Sequence, residues 1–457
     1  MFKKDFVWGT ATSSYQIEGA AYEDGKGLNI WDMYCRKDGA IYGGHNGDTA
    51  CDHYHRYKED VALMKKLGLK AYRFSLSWAR ILPSGEGHVN PKGIEFYNNL
   101  INELLKNDIT PYITLYHWDL PLELYHKGGW LNRDITDIFA NYAKIVVENF
   151  SDRVKHFITF NEPQIFIGLG CVTGAHAPGL KMSLSETIRM SHNVLLAHGK
   201  AVKIMREYGA DDIKIGYAPT SHFPYPETET PDNIEAARKL AFAISTPVCP
   251  DKWWGSVTWW SDPVILGKYP EDGLRLYGKY LPANWREDMA VINQPLDFYG
   301  QNVYEGFAVK ANSAGIDTNP ILIKKYDGFP RTAPNWPITP KALKWAAKFL
   351  YERYKLPIYI TESGLSCHDV ISLDGKVHDP NRIDYMNRYL LALREAVDEG
   401  AIVAGYFAWS LMDNFEWAYG YCDRFGMVFV DYPTGTRLIK DSGYWYKSVI
   451  ESNGENL

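Results

Sequence analysis

Along this chain, short runs of mostly apolar residues recur between longer stretches in which apolar positions return every three or four residues. The short runs are DFVWGTATS (5–13), KAYRFSLS (70–77), TPYITLYHW (110–118), HFITFNE (156–162), IKIGYAP (213–219), LDFYGQNVY (296–304), PIYITES (357–363) and IVAGYFAWSL (402–411). Their length and their β-branched and aromatic content predict strands buried on both faces. The longer stretches predict amphipathic helices. In GIEFYNNLINELLKNDI the residues Tyr97, Ile101, Leu104 and Leu105 fall on one stripe. Over 382–400, Tyr385, Tyr389, Leu390 and Leu393 do the same, with Gly400 placed as the stop. Strand, helix, strand repeated eight times predicts the α/β class, as a single-domain (β/α)8 TIM barrel over 1–457 with long loops on the face where catalysis occurs in that fold. No linker divides the chain, and the Trp- and Pro-rich 227–282 and the Asn-, Pro- and Gly-rich 305–340 read as long loops around that rim. The absence of a fixed-period repeat disfavours a solenoid.

Six of the runs start apolar and end in residues able to do chemistry or to recognise a ligand: Arg73, His117, Asn161 with Glu162, Tyr304, Glu362 and Trp409. In a closed parallel barrel all of these ends open onto one rim. ITFNEP (158–163) is the sharpest case, because a glutamate entering a core is costly unless it is paired or used. A second glutamate, Glu362 in ITESG, also ends a run, 200 positions later. Hydrolysis of a glycosidic bond asks for such a pair, one carboxyl to protonate the leaving oxygen and one to attack or to activate water.

ITFNEP and ITESG resemble the acid/base and nucleophile signatures of glycoside hydrolase family 1, the β-glucosidase family. The resemblance continues, in the family's order, through FVWGTATSSYQIEG (6–19), YRFSLSWARILP (72–83), TLYHWDLP (114–121), GYFAWSLMDNFEW (405–417) and RFGMVFVDY (424–432). It implies that Glu162 is the general acid/base and Glu362 the nucleophile of a retaining enzyme with a covalent glycosyl-enzyme. Arg73 would then favour the charged form of Glu362, and Tyr304 would hydrogen-bond it. By the same resemblance Gln16, His117, Asn161, Glu416 and Trp417 hold the sugar, with Trp409 as the stacking platform. Trp118, Asn302, Trp336 and Phe425 complete the substrate-binding set, Trp336 on the aglycone side. Amides, an imidazole and a carboxylate suit paired hydroxyls that each donate and accept.

Glu416 separates two branches: members acting on 6-phosphosugars replace it with a small residue, and its carboxylate here would repel a phosphate. Glu162 is a glutamate rather than the glutamine of the family's plant thioglucosidases, so O-glycosides are expected. The chain departs from the pattern at Ser363, where asparagine is usual, at Leu122, and at Gln301 and Val303.

Composition narrows the reading further. The chain has 457 residues and a net charge of −6, with no basic excess to point to nucleic acid or an anionic membrane. Its 15 Trp and 32 Tyr suit a ligand with both apolar and hydroxyl faces. Six cysteines without CxxC spacing, Cys35, Cys51, Cys171, Cys249, Cys367 and Cys422, read as free buried thiols. No apolar leader precedes the first run, and no run of 18 apolar residues occurs, so a cytoplasmic enzyme is expected. CDHYHRY (51–57) lacks further ligands for a metal, and His53 and His55 read as loop hydrogen-bonding groups. GLGCVTG (168–174) has the wrong spacing for a dinucleotide fingerprint; it reads as lining the mouth of the site, with Cys171 and Val172 toward the aglycone.

The expectation is therefore a retaining β-glycosidase, β-glucosidase activity first, with β-galactosides and β-fucosides as further substrates and no cofactor. Its partners are a small β-glycoside or short oligosaccharide, without nucleic acid or membrane; a homo-oligomer is left open. A transglycosidase using the same residues and a non-catalytic sugar-binding protein are the alternatives.

Overall fold

A computed structural model of the chain describes residues 1–244, 252–312 and 319–457. Eight strands close a parallel barrel: β1 (Val7–Ala11), β2 (Ala71–Ser75), β3 (Thr110–Tyr116), β4 (His156–Asn161), β5 (Lys214–Ala218), β6 (Phe298–Asn302), β7 (Ile358–Ser363) and β8 (Val403–Trp409). Each falls inside one of the eight runs, and each is hydrogen-bonded to its sequence neighbours. The seam is made by β1 against β8, with Val7 opposite Gly405 and Ala11 opposite Trp409. The last helix, Asp441–Glu451, covers that seam: Tyr446 donates to the Gly9 carbonyl at 2.9 Å, and Trp8 donates to Asn453 just beyond the helix at 2.9 Å.

The helices between strands pack their apolar stripes on the barrel. Pro91–Lys106 starts where Asn90 accepts from the Lys92 amide and Pro91 takes the first position, where its missing N–H is not needed. It buries Phe96, Tyr97, Leu100, Ile101 and Leu104, whereas Leu105 is exposed. Leu105 follows Leu104 by a single residue, and that step of about 100° carries it past the edge of the stripe. Pro380–Asp398 buries the expected four residues, and Gly400 follows with φ +98°.

Two segments expected as loops carry regular structure. Residues 227–282 contain the helices Pro231–Ala241, Val257–Leu266 and Glu271–Tyr277. The first has a Thr230 cap and Pro231 at its start, a helix signal that the surrounding Pro and Trp content obscures. Residues 305–340 contain Gly306–Lys310, which pairs with Phe223–Pro226 on one side and Ile321–Leu322 on the other, forming a small sheet beside the barrel. His53 and His55 likewise belong to a helix, His53–Lys66. His53 is buried against Asp60, which Arg437 also holds, and His55 is exposed between Asp52 and Glu23. Of the cysteines, Cys35, Cys51 and Cys171 are buried free thiols, Cys367 is half-buried and Cys422 is exposed; Cys249 lies outside the described residues. No helix among the described residues is long and apolar enough to cross a membrane.

Candidate active site

The strand ends of the barrel open into a cavity of about 300 Å3. Ten of the residues expected in the site line it: His117, Trp118, Glu162, Tyr304, Trp336, Glu362, Trp409, Glu416, Trp417 and Phe425. The other four, Arg73, Asn161, Asn302 and Gln16, are fully buried behind that wall and act on it through hydrogen bonds.

Arg73 leaves β2 and reaches across the barrel. One of its nitrogens donates to a carboxyl oxygen of Glu362 at 2.7 Å and to the Thr361 carbonyl at 3.0 Å; another donates to Asn161 Oδ1 at 2.6 Å. Tyr304 donates to the second oxygen of Glu362 at 2.8 Å. Register places Glu362 opposite Asn302 on β6, and Asn302 Nδ2 donates to Glu162 at 2.7 Å and to Asn161 Oδ1 at 3.1 Å. Thr361 donates to Asn302 Oδ1 at 2.6 Å, which fixes the Asn302 amide with its nitrogen toward the carboxyls.

The same logic orients His117. With Asn161 Oδ1 taken by Arg73 and Asn302, Asn161 Nδ2 donates to His117 Nε2 at 3.1 Å. The neutral ring then carries its proton on Nδ1, a buried atom with no protein partner. Burial first and Arg73 second hold the His117 pKa well below its ordinary value, so the ring stays neutral.

Glu162 and Glu362 differ in their company. Burial, then the charge of Glu362, pushes Glu162 up to about 8, while Asn302, Arg73 and Thr220 act in the opposite direction. Burial also raises Glu362, but here the opposing influences lead with the Arg73 guanidinium, followed by Tyr304 and Asn302. Between the two, the proton belongs on Glu162 and the charge on Glu362. Glu416, at the cavity wall, is raised well above the carboxylate range by burial and by Asp423, Glu362 and Glu162, with Gln16 opposing from 3.5 Å. Gln16 itself is fixed by Ser13, Asn414 and the Phe415 carbonyl.

Three non-glycine residues of the wall hold left-handed backbone, Trp118 (φ 78°), Glu162 (φ 45°) and Trp417 (φ 48°). Such conformations cost energy and persist where surroundings over-determine them. Glu162 sits between the end of β4 and Pro163, which opens the helix Pro163–Ile167, so its side chain is turned out of the strand direction at the rim. Trp118 donates to the Asn161 carbonyl at 2.9 Å, and Trp417 packs on Trp118 with ring centroids 4.5 Å apart. Trp409 lies nearly parallel to His117, forming a flat aromatic wall.

Residues that sequence reasoning did not assign also line the cavity, among them Gln164, Thr220, His176, His222, Trp254 and Tyr419. Thr220 had a legible signal, since it follows β5 as the other site residues follow their strands. Trp254 lies in the Trp-rich segment expected at the rim. In GLGCVTG the lining residue is Leu169, and Cys171 is buried; the segment 168–173 winds as a wide helical turn that points Cys171 inward. The two departures beside the site, Gln301 and Ser363, are fully buried, and each leaves a side-chain oxygen without a protein partner.

A family model described as Glycosyl hydrolase family 1 matches residues 1–455. The chain is 46% identical over 455 residues to a 1,4-beta-D-glucan glucohydrolase of Thermotoga neapolitana, covering 99% of both chains. It is 46% identical over 459 residues to beta-glucosidase A of Acetivibrio thermocellus, again covering 99% of both. Among solved structures it matches the beta-glucosidase from Thermotoga maritima in complex with deoxynojirimycin, with a TM-score of 0.89, 45% identity and 99% of each chain covered.

Proposed function

The chain belongs to glycosyl hydrolase family 1, and from that premise we propose that it is a β-glucosidase in which Glu162 is the general acid/base and Glu362 the nucleophile. It is a glycoside hydrolase, and the family works with retention of configuration. The observation that carries the assignment of roles is the asymmetry of the two carboxyls: both face one cavity, and Glu362 alone holds the Arg73 guanidinium.

In the first half-reaction Glu362, held ionised by Arg73 and Tyr304, attacks the anomeric carbon as Glu162 gives its proton to the leaving oxygen. Glycosylation removes the charge of Glu362, which is the second-largest influence keeping Glu162 protonated. Glu162 then becomes the stronger acid and, once ionised, the base that activates water. His117 and Glu416 supply donors and acceptors for the glycon, oriented from behind by Asn161 and Gln16, with Trp409 as its apolar platform and Trp336 and Phe425 toward the aglycone. The whole chain, 1–457, serves as one catalytic domain. The glycon is unphosphorylated, because Glu416 adds a third carboxyl to a site with one guanidinium. Buried free thiols at Cys35, Cys51 and Cys171 fit a reducing, cytoplasmic setting.

A panel of 4-nitrophenyl β-glycosides, with cellobiose and a 6-phosphoglucoside, tests the substrate. The glucoside is expected to lead, with activity on the galactoside and fucoside, and preference for the phosphorylated compound would overturn the reading. The roles are tested with azide: Glu362→Gly should give the α-glycosyl azide and Glu162→Ala the β-glycosyl azide. An interchange of these products would reverse the two assignments. Adding an alcohol acceptor and comparing transfer product with free sugar separates hydrolysis from transglycosylation.

A further inference from the structure

Tyr385 and Tyr389 belong to the apolar stripe of the helix Pro380–Asp398, yet each ends in a hydroxyl that packing alone does not require. They stand one turn apart, both buried, with stacked rings whose centroids are 3.9 Å apart. Both hydroxyls donate to a single atom, the carbonyl oxygen of Tyr304, Tyr385 at 3.0 Å and Tyr389 at 2.8 Å. A peptide carbonyl has two lone pairs, and here a tyrosine takes each. Tyr389 also accepts from the Thr339 amide at 2.9 Å, and Thr339 Oγ1 accepts from the Gly306 amide at 2.8 Å. On the other side of Tyr304, Val303 N–H donates to the Glu362 carbonyl at 2.9 Å. Tyr304 lies in the short link between β6 and Gly306–Lys310, outside any strand ladder, so these bonds are what fix its backbone. From that fixed backbone its side chain reaches Glu362 at 2.8 Å.

We infer, resting on the reading of Glu362 as nucleophile, that Tyr385 and Tyr389 are positioning residues that act from outside the cavity to hold the Tyr304 hydroxyl on Glu362. Neither lines the cavity, and neither touches Glu362. Their effect passes through one peptide group: with both donors in place the Tyr304 carbonyl cannot swing, and the ring beyond it stays aimed at the carboxylate. With the donors removed, Tyr304 spends part of its time elsewhere. Glu362 then keeps Arg73 at one oxygen and loses the donor at the other.

The charged and titratable groups that face Glu362 are Arg73 on β2, Glu162 beyond β4, Tyr304 beyond β6, His117 beyond β3 and Glu416 beyond β8. His176, Lys252 and the His222–Glu305 pair line the same cavity from its outer loops. Around the two tyrosines stand Tyr406 on β8 and Glu305. Burial pushes both phenols up, Tyr389 to about 12, so they are neutral donors and add no charge of their own to the site. Replacing them by phenylalanine therefore reaches Glu362 through Tyr304.

The test is the pH profile of kcat/KM on 4-nitrophenyl β-glucoside, whose leaving group needs little help from the acid, so that the acidic limb reports ionisation of Glu362. Tyr304 opposes the rise that burial imposes on the Glu362 pKa, and loss of a donor to a carboxylate raises its pKa. The double variant Tyr385→Phe with Tyr389→Phe is expected to move the acidic limb upward by about 0.5 to 1 pH unit and to lower kcat/KM at the optimum about tenfold. Tyr304→Phe, which deletes the donor itself, should move the limb at least as far. In the Tyr304→Phe background the two further substitutions should leave the limb where it already stands, a coupling that a merely structural role would not produce. Tyr385→Phe alone leaves the Thr339 amide its partner; it should move the limb the same way by less, and it carries the test if the double variant does not fold. An unmoved limb in the folded double variant, or in the folded single variant where the double does not fold, overturns the inference. So does a limb that Tyr304→Phe itself leaves in place, or an equal shift with and without the Tyr304 hydroxyl. Glu362→Gly with azide separates this from failure of the underlying reading. If no α-glycosyl azide forms, Glu362 is not the nucleophile; if it forms while the tyrosine variants leave the limb in place, only the role of Tyr385 and Tyr389 fails.

Discussion

Two clusters of buried charge in this chain are built on opposite principles. Beside the barrel mouth, Asp369, Asp379 and Asp413 meet Arg382, Arg424 and Lys440, one cation for each acid. Lys440 lies between Asp369 and Asp413, at 2.6 Å from the latter; Arg382 bonds Asp369 at 2.7 Å and also Asp379; Arg424 bonds Asp413 at 2.7 Å. Its members tie the segment after β7 to the loops after β8, since Arg382 also donates to the Leu365 and Arg424 carbonyls. Asp369 is accordingly held below the ordinary carboxylate range by Arg382 and Lys440 against the cost of burial. Of the carboxyls lining the catalytic cavity, Glu305 pairs with His222, while Glu162, Glu362 and Glu416 have a single guanidinium among them, that of Arg73, bonded to Glu362. Balanced charge fixes loops; unbalanced charge leaves a proton that must be kept somewhere, and a proton of that kind can be moved by chemistry.

The comparison can be broken most directly at Arg73. Arg73→Met leaves Glu362 buried without a cation and removes the donor to Asn161; kcat/KM is expected to fall by ~10^3 to 10^4. A loss under tenfold would mean that Glu362 does not depend on that charge. Next in size is Lys440→Met, which strands two aspartates in the balanced cluster. Urea unfolding should show a loss of about 3–5 kcal/mol, while the protein that remains folded keeps the wild-type pH profile. A shifted profile with intact stability would place Lys440 among the catalytic electrostatics instead.

A smaller effect follows from the misplaced proton. The folded-state pKa of Glu162, about 8, lies above its unfolded value near 4.5, so between these pH values the native chain holds a proton that the unfolded chain has lost. Stability from this group is full below pH ~4.5 and falls as pH rises toward 8. Glu162→Gln should therefore melt higher than wild type at pH 8, by about 2 °C or more, with the gap closing toward pH 4.5. A gap independent of pH would argue against the raised pKa. The smallest expected effect has the opposite sign. Asp369 is depressed, so its contribution is present above the unfolded carboxylate pKa and is lost as pH falls through the folded one. Asp369→Asn and wild type should differ in melting temperature at pH 7 and converge in acid.

Much of this was legible in the sequence, for identifiable reasons. A strand buried on both faces must be a continuous apolar run, so all eight barrel strands were visible from composition alone. Glu162 and Glu362 were visible because a carboxyl at the end of such a run has no packing explanation. What stayed hidden was whatever depends on relations between distant segments. The sheet formed by Phe223–Pro226, Gly306–Lys310 and Ile321–Leu322 has strands too short to carry a pattern. Thr220 follows β5 as the other site residues follow their strands, but it escaped because a threonine is unremarkable by type. The charge-balanced cluster likewise assembles residues from 369 to 440, and nothing in any one of their neighbourhoods announces the others. Leu105 shows the converse limit, where a correct helix was given a stripe one residue too wide.

The seam between β1 and β8 bears on how the molecule is made. Strand β1 ends at Ala11, and its partner spans Val403–Trp409. At about 5–20 residues per second, a growing chain would wait roughly 20 to 80 s between releasing the one and releasing the other. Through that interval the β1 edge that will meet β8 has no native partner, and the helix that covers the seam is still unmade. An unpaired apolar strand edge invites the wrong neighbour. The segment 403–440, which supplies β8, Glu416, Trp417 and Lys440, therefore decides whether the seven strands translated before it close into an enzyme.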